Sequence, residues 1–275
     1  MMGNLTKSLT LFLFVFLMFS CSSDDDERVS PTMAEKVTED VKWIDNNANS
    51  KFASFEFNKS GNYIIVENVI NRSISEQKTY FGTYKITGDS TIVLSDLGTI
   101  KVLNATEGTV ALEITLTGIS TSLAFNGSKK ENMKVTTKTE LFCRTWKFVK
   151  KNGETVKGTE YEDGIVLFSK AGTYFTEFPY GERDDIEGIS AFWKWKPGTN
   201  ESQFFYSWDG SFEDNDDFVT IDVLTNTSLK ITDVFEDDGK TYTDVWELIP
   251  ATNTKSSISQ GVKKENGGKG FLGNR

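Results

Sequence analysis

From Lys51 onward, apolar and polar residues alternate in short runs, the period of a strand that buries one face. Phe55 and Phe57 share a face, and Tyr63, Ile65 and Val69 resume it after a turn at Gly61. The pattern continues through Thr79–Ile86, Thr91–Leu94, Thr99–Leu103, Thr109–Leu116 and Ser122–Phe125, with polar turn residues between the runs. Gly127–Asn132 is a polar break, and the boundary between two units falls between it and Thr139. The alternation then restarts in Leu141–Lys150, Ile165–Phe168, Thr173–Thr176, Phe192–Trp195, Gln203–Trp208, Phe218–Leu224, Ser228–Thr232 and Tyr242–Leu248. Short antiparallel strands at this spacing predict an all-β protein of two small antiparallel barrels in tandem, residues 32–130 and 139–251.

One frame occurs twice. Phe57-Asn-Lys-Ser-Gly-Asn-Tyr63 and Phe168-Ser-Lys-Ala-Gly-Thr-Tyr174 share Phe-x-Lys-x-Gly-x-Tyr. In each, an apolar strand runs into a turn whose glycine supplies the positive φ of a tight reversal, and the Tyr starts the returning strand. Beyond this hairpin, Thr83–Ile86 matches Phe192–Trp195, Thr99–Leu103 matches Phe218–Leu224, and Val110–Ile114 matches Ser228–Thr232.

Three stretches depart from the alternation. Thr32-Met-Ala-Glu35 has the spacing of a capping box, and Met33, Val37, Val41 and Ile44 recur at helical intervals, which predicts a short helix to about Asn46. Val41–Ile44 can equally open the first strand. Thr252–Arg275 is rich in glycine and lysine and poor in apolar residues, so it reads as a disordered tail. The third stretch is the start of the chain: Lys7, the apolar run Leu11–Phe19, then Ser20-Cys21. That run is too short for a membrane span and has the form of a secretory h-region.

Residues 1–20 together with Cys21 resemble a bacterial lipoprotein signal, and the resemblance implies removal of 1–20 and acylation of Cys21. The alternative is an ordinary signal peptide followed by an unrelated cysteine. Ser22-Ser-Asp-Asp-Asp-Glu27, within a tether of residues 21–31, resembles the acidic tag of lipoproteins displayed on the outer face of the outer membrane. The alternative there is a periplasm-facing anchor. Either placement makes the lipid bilayer a partner through the acyl chains of Cys21.

The net charge of −10 argues against nucleic acid as a partner. With two cysteines in all, acylation of Cys21 leaves Cys143 without a disulfide partner, and its apolar neighbours predict burial. Histidine is absent, which removes the commonest general base and metal ligand. No nucleophile elbow, Walker loop, dinucleotide fingerprint or Cys-x-x-Cys is present. The acidic clusters Glu182–Glu187, Asp209–Asp217 and Glu236–Asp238 read as solvated turns. Asp209–Asp217, the best of them for Ca²⁺, lacks the spacing of an EF-hand. The expectation is a non-catalytic protein without cofactor or metal.

Leu141-x-x-x-x-Trp146-Lys-Phe148, followed by Phe168-x-Lys-x-Gly-x-Tyr174, the Trp-rich strand near Trp193 and Val223-Leu-Thr-x-x-Ser-Leu229-x-Ile231, resembles the bacterial lipocalin-like domain of secreted lipoproteins. Trp43, Phe57-x-Lys-x-Gly-x-Tyr63 and Gly82-Thr-Tyr84 are similar to it in the first half. The resemblance implies a small antiparallel barrel or curved sheet.

The aromatic residues are the best lead to function. Trp193 and Trp195 project to one face of their strand, and Phe204, Tyr206 and Trp208 share one face of the next. That face fills a core, lines an apolar pocket, or forms a platform for sugar rings. The leading expectation is an outer-membrane, surface-anchored lipoprotein that binds a small apolar or glycan ligand through these five residues. The alternative is an interaction subunit with fully packed cores that docks another envelope protein.

Overall fold

The computed structural model describes residues 30–47, 50–71, 74–178, 187–213, 217–251, 259–262 and 270–272. The expected signal segment, Cys21 and most of the expected acidic tether therefore lie outside the described residues. Pro31–Arg275 forms one compact unit. No helix among the described residues is long and apolar enough to cross a membrane.

The chain forms two closed eight-stranded antiparallel barrels in tandem. The first comprises β1 (Val41–Asp45), β2 (Phe52–Phe57), β3 (Asn62–Asn71), β4 (Ile74–Ile86), β5 (Thr91–Leu94), β6 (Gly98–Ala105), β7 (Thr109–Leu116) and β8 (Leu123–Lys130). Each strand pairs with the next, and β8 returns to β1 with Trp43 opposite Lys129. The second comprises β9 (Thr145–Lys151), β11 (Ile165–Phe168), β12 (Thr173–Glu177), β13 (Glu187–Trp195), β14 (Gln203–Ser207), β15 (Phe218–Leu224), β16 (Leu229–Asp237) and β17 (Lys240–Pro250). Here β17 closes onto β9, and the short β10 (Glu154–Thr155) pairs with β9. Closure removes the unpaired edges that open sheets expose.

The repeated frame forms the same hairpin in both barrels. Phe57 faces Tyr63 across β2–β3, and Phe168 faces Tyr174 across β11–β12. Gly61 and Gly172 sit at φ 83° and 82°, a conformation that L side chains rarely adopt. Each glycine carbonyl then accepts from the following strand, Gly61 from the Tyr84 amide at 2.8 Å and Gly172 from the Trp193 amide at 2.9 Å. Tyr84 and Trp193 are therefore equivalent positions, as the sequence match implies.

A short helix precedes each barrel. α1 (Met33–Thr38) carries the predicted capping box, but it ends eight residues earlier than the periodicity suggests, and Val41–Asp45 is strand. Asp40, at φ 48°, makes the reversal between them. α2 (Thr137–Phe142) was not foreseen: Leu141 and Phe142, expected to open a strand, are the last helical residues. Ncap Thr136 accepts from the Thr139 amide at 3.0 Å, and this local bond favours the helix. In both barrels a first-strand indole holds the helix end, Trp43 Nε1 donating to the Val37 carbonyl and Trp146 Nε1 to the Phe142 carbonyl, each at 3.0 Å. Gly127–Lys130, read as a break, continues β8, which pairs there with β1 and β7.

The expected disordered tail is also corrected where it is described. β18 (Ser259–Val262) pairs antiparallel with β4 and parallel with β13, so it joins one barrel to the other. Phe271 and Leu272 are buried in the core of the second barrel. Backbone pairing and a two-residue apolar anchor order these segments, and neither raises the mean hydropathy of the stretch.

Candidate functional site

The second barrel places the predicted aromatic residues inside. Antiparallel pairing of β13 with β14 sets Trp193 opposite Tyr206 and Trp195 opposite Phe204. Trp193, Phe204, Tyr206 and Trp208 are buried in one cluster with Phe168 and Tyr174, and Trp195, half-buried, packs against it. The period of two was thus read correctly: Lys194, between the two tryptophans, lies instead over the rings of Phe205 and Phe212.

The helix α2 contributes Phe142 to this interior. Phe142 packs against Trp193 and Trp195 with ring centroids 5.0 and 5.2 Å away. Both indoles are held by hydrogen bonds, Trp193 Nε1 to the Ser169 carbonyl at 3.1 Å and Trp195 Nε1 to Thr139 Oγ1 at 3.0 Å. These two side chains are therefore fixed parts of the wall.

The other part of the interior holds a residue from outside the barrel wall. The Phe271 ring lies 5.8 Å from Phe168 with planes only 7° apart, and 5.1, 5.7 and 6.2 Å from Tyr174, Phe204 and Tyr206. Its backbone is read at both ends: the amide donates to Asp233 Oδ2 at 2.6 Å, and the carbonyl accepts from the Tyr174 hydroxyl at 2.9 Å. Of the four rings around Phe271, sequence reasoning named Phe204 and Tyr206 as site residues, placed Phe168 and Tyr174 only in the hairpin, and missed Phe271 itself and Asp233. The alternation of Val166, Phe168, Tyr174 and Thr176 carried a signal for the wall. For Phe271 there was none beyond a lone Phe-Leu pair.

The electrostatics of the interior follow from burial. Removal from water raises the Asp233 carboxyl to about 7, against the smaller opposing effect of the Phe271 amide, and Asp244 and Asp217 add like charge. Burial also pushes the Tyr174 and Tyr206 phenols well up, so both stay protonated near neutrality. Among the described residues of the second barrel, Asp233 Oδ1, Trp208 Nε1 and Thr176 Oγ1 are buried without a hydrogen-bond partner; Glu56, Asn58 and Asn132 have such atoms elsewhere. Buried polar groups of this kind are rare in folded proteins and call for a functional or structural explanation.

A second feature lies where the barrels meet. A cleft of about 330 Å³ is lined by Asp40, Lys59, Glu140, Cys143, Arg144 and Lys170, among others. Lys170 Nζ reaches Asp40 Oδ2 at 2.9 Å and Glu140 Oε1 at 2.7 Å, so its charge is already matched. Cys143, expected to be buried, is instead partly exposed on the cleft wall; desolvation still pushes its thiol well above its usual range, which makes it a poor nucleophile.

The acidic clusters make turns where they are described. Asp209 Oδ1 accepts from Ser207 Oγ and from the Ser211 amide, both at 2.8 Å. Asp238 and Gly239 take positive φ at the tip of the β16–β17 hairpin. Most of Glu182–Glu187 and the middle of Asp209–Asp217 lie outside the described residues, and among those described no three acidic or cysteine side chains converge to hold a metal.

No protein family matches this chain, and no curated protein is significantly similar to it.

Proposed function

We propose that the protein is a non-catalytic lipoprotein of the cell envelope, anchored to the outer membrane through acylated Cys21, whose second barrel binds a small apolar ligand. The single observation that carries the binding half is that the aromatic interior of that barrel is completed by Phe271 and Leu272, which belong to no wall strand. A compartment whose filling comes from outside its wall can be vacated without breaking the wall. The buried polar atoms of Asp233, Trp208 and Thr176 add points at which a ligand is oriented. An apolar ligand is favoured over a glycan because Trp193, Phe204 and Tyr206 are buried, whereas a sugar platform presents its rings to water. The anchoring half rests on the signal-like segment and Cys21, and the resemblance to lipocalin-like lipoproteins supports the combination.

The test is a titration of intrinsic tryptophan emission in the mature chain, and in the chain ending at Lys269, with fatty acids, haem-like compounds, oligosaccharides and short aromatic peptides. A saturable shift with an apolar compound, weakened about tenfold in a folded Tyr206→Ala protein, is the expected result. The absence of any response from either chain would overturn the reading. It would favour instead an interaction subunit docking another envelope protein, a reading that the filled interiors of both barrels also fit.

A further inference from the structure

We infer that the second barrel is a peptide-recognition site, selective for an aromatic residue presented with its backbone amide and carbonyl, and that the chain's own Phe271 is its resident occupant. This rests on the reading of the barrel as a binding compartment and names the chemical class that the compartment takes. Three features of the contact point to a peptide.

The first is that a single residue is read at its side chain and at both backbone groups. Asp233 takes the amide of Phe271 and Tyr174 supplies a hydroxyl to its carbonyl, while Phe168, Tyr174, Phe204 and Tyr206 surround its ring. Asp233 and Tyr174 are 2% and 0% exposed, so these polar groups have no route to water while the site is filled. A hydrocarbon chain in the same place would leave a buried carboxyl and a buried hydroxyl without partners, which is costly. A fatty acid would in addition bring a second carboxyl toward Asp233.

The second feature is the residue before it. Gly270 sits at φ 78°, and a Cβ there would meet Phe235 at 2.9 Å and Asp233 Oδ2 at 3.0 Å. The site therefore accepts a small residue, then an aromatic one, then the half of the pocket filled by Leu272, which is 7% exposed. The third is that the occupant comes from a separate part of the chain: β18 attaches outside the closed barrel, along β13 and β4. A tethered occupant has an effective concentration in the millimolar range, so a peptide in trans must compete with it.

The experiment compares the mature chain with the same chain ending at Lys269, using the peptide of residues 270–275 as the probe and tryptophan emission as the readout. The shortened chain is expected to stay folded and to bind the peptide saturably, at least about 100-fold more tightly than the intact chain does. Binding is expected to weaken about tenfold or more for each of three changes: Phe271→Ala in the peptide, Asp233→Leu in the barrel and Tyr174→Phe in the barrel. A folded shortened chain that ignores the peptide, or binds the Phe271→Ala peptide equally well, overturns the inference. Fatty-acid binding without peptide binding also overturns it, yet leaves the binding compartment standing; no binding of either kind removes both. Should the shortened chain fail to fold, hydrogen exchange in the intact chain decides. Opening of the Phe271 amide well before global unfolding supports a replaceable occupant, and exchange only through global unfolding overturns it.

Discussion

The rings of Phe81 and Phe175 stack with centroids 4.9 Å apart and planes 18° apart, and each side chain is wholly buried although the two belong to different barrels. With Ile64 and Leu167 they form a small apolar cluster separate from both interiors. The alternation that turns Tyr63 and Tyr174 inward turns Ile64 and Phe175 outward, so two outer faces have become an interface. Lys42 adds a polar contact, its Nζ 3.2 Å from Glu56 and donating to Thr173 Oγ1 of the second barrel at 2.8 Å.

Phe175→Ala is expected to cost about 3–5 kcal/mol, the range for emptying a buried aromatic site. Gly188→Val tests the same seam from the neighbouring strand of the second barrel, because a Cβ at Gly188 would lie 2.0 Å from the Phe175 ring. Urea unfolding followed by tryptophan emission checks both. The expected result is that one transition becomes two, since the barrels lose their mutual support while each keeps its own core.

The buried Asp233 carboxyl gives the second barrel a pH dependence of defined sign. Its value near 7 lies above that of a solvated carboxyl, so the folded state holds the proton more tightly than the unfolded state. The stability from this group is fully present below about pH 4 and is lost as pH rises through 7, by at most about 1.4 kcal/mol per pH unit. The groups involved are Asp233 itself, Asp244 and Asp217 as like charges, the neutral phenols of Tyr174 and Tyr206, and the Phe271 amide. Melting curves between pH 5 and 8 are expected to show this fall in the wild type, and a flatter profile in Asp233→Asn.

Cys143, although partly exposed, is expected to resist thiol reagents at pH 8 in the folded protein, because desolvation keeps its sulfur protonated. Labelling with a chromogenic disulfide reagent should proceed in urea and be slow in buffer. Rapid labelling in buffer would show that the cleft between the barrels opens more widely than its 330 Å³.

On the proposed acylation of Cys21, Cys21→Ser is expected to move the protein from the detergent phase to the aqueous phase in a phase-partition experiment on cell extracts. Unchanged partitioning would contradict lipidation at that residue.

Much of the wall was legible in the sequence, and most of its contents were not. Phe57, Tyr63, Phe168 and Tyr174 announced the hairpins because a strand reversal needs a residue type at the turn, and Gly61 and Gly172 supply it. Trp193 and Trp195 announced a shared face because a period of two places them together, and it is the structure that turns that face inward. The helix α2 was hidden because Leu141 and Phe142 fit the start of a strand as well as the end of a helix, and what favours the helix is local bonding: the Thr139 amide to the Thr136 side chain, and the Trp146 indole to the Phe142 carbonyl. Phe271 was hidden for a different reason. Its burial depends on Asp233 and Tyr174, far away in the chain, and composition carries no record of such a contact.

The most direct measurement is a fluorine resonance at position 271, with Phe271 replaced by 4-fluorophenylalanine in the otherwise intact chain and the peptide of residues 270–275 added in trans. A resonance shifted by the surrounding rings in the free protein, moving saturably toward the position of a solvated ring as peptide is added, is the predicted result. A resonance that starts at the solvated position, or stays shifted at millimolar peptide, would contradict the account of the second barrel as a binding compartment with a replaceable occupant.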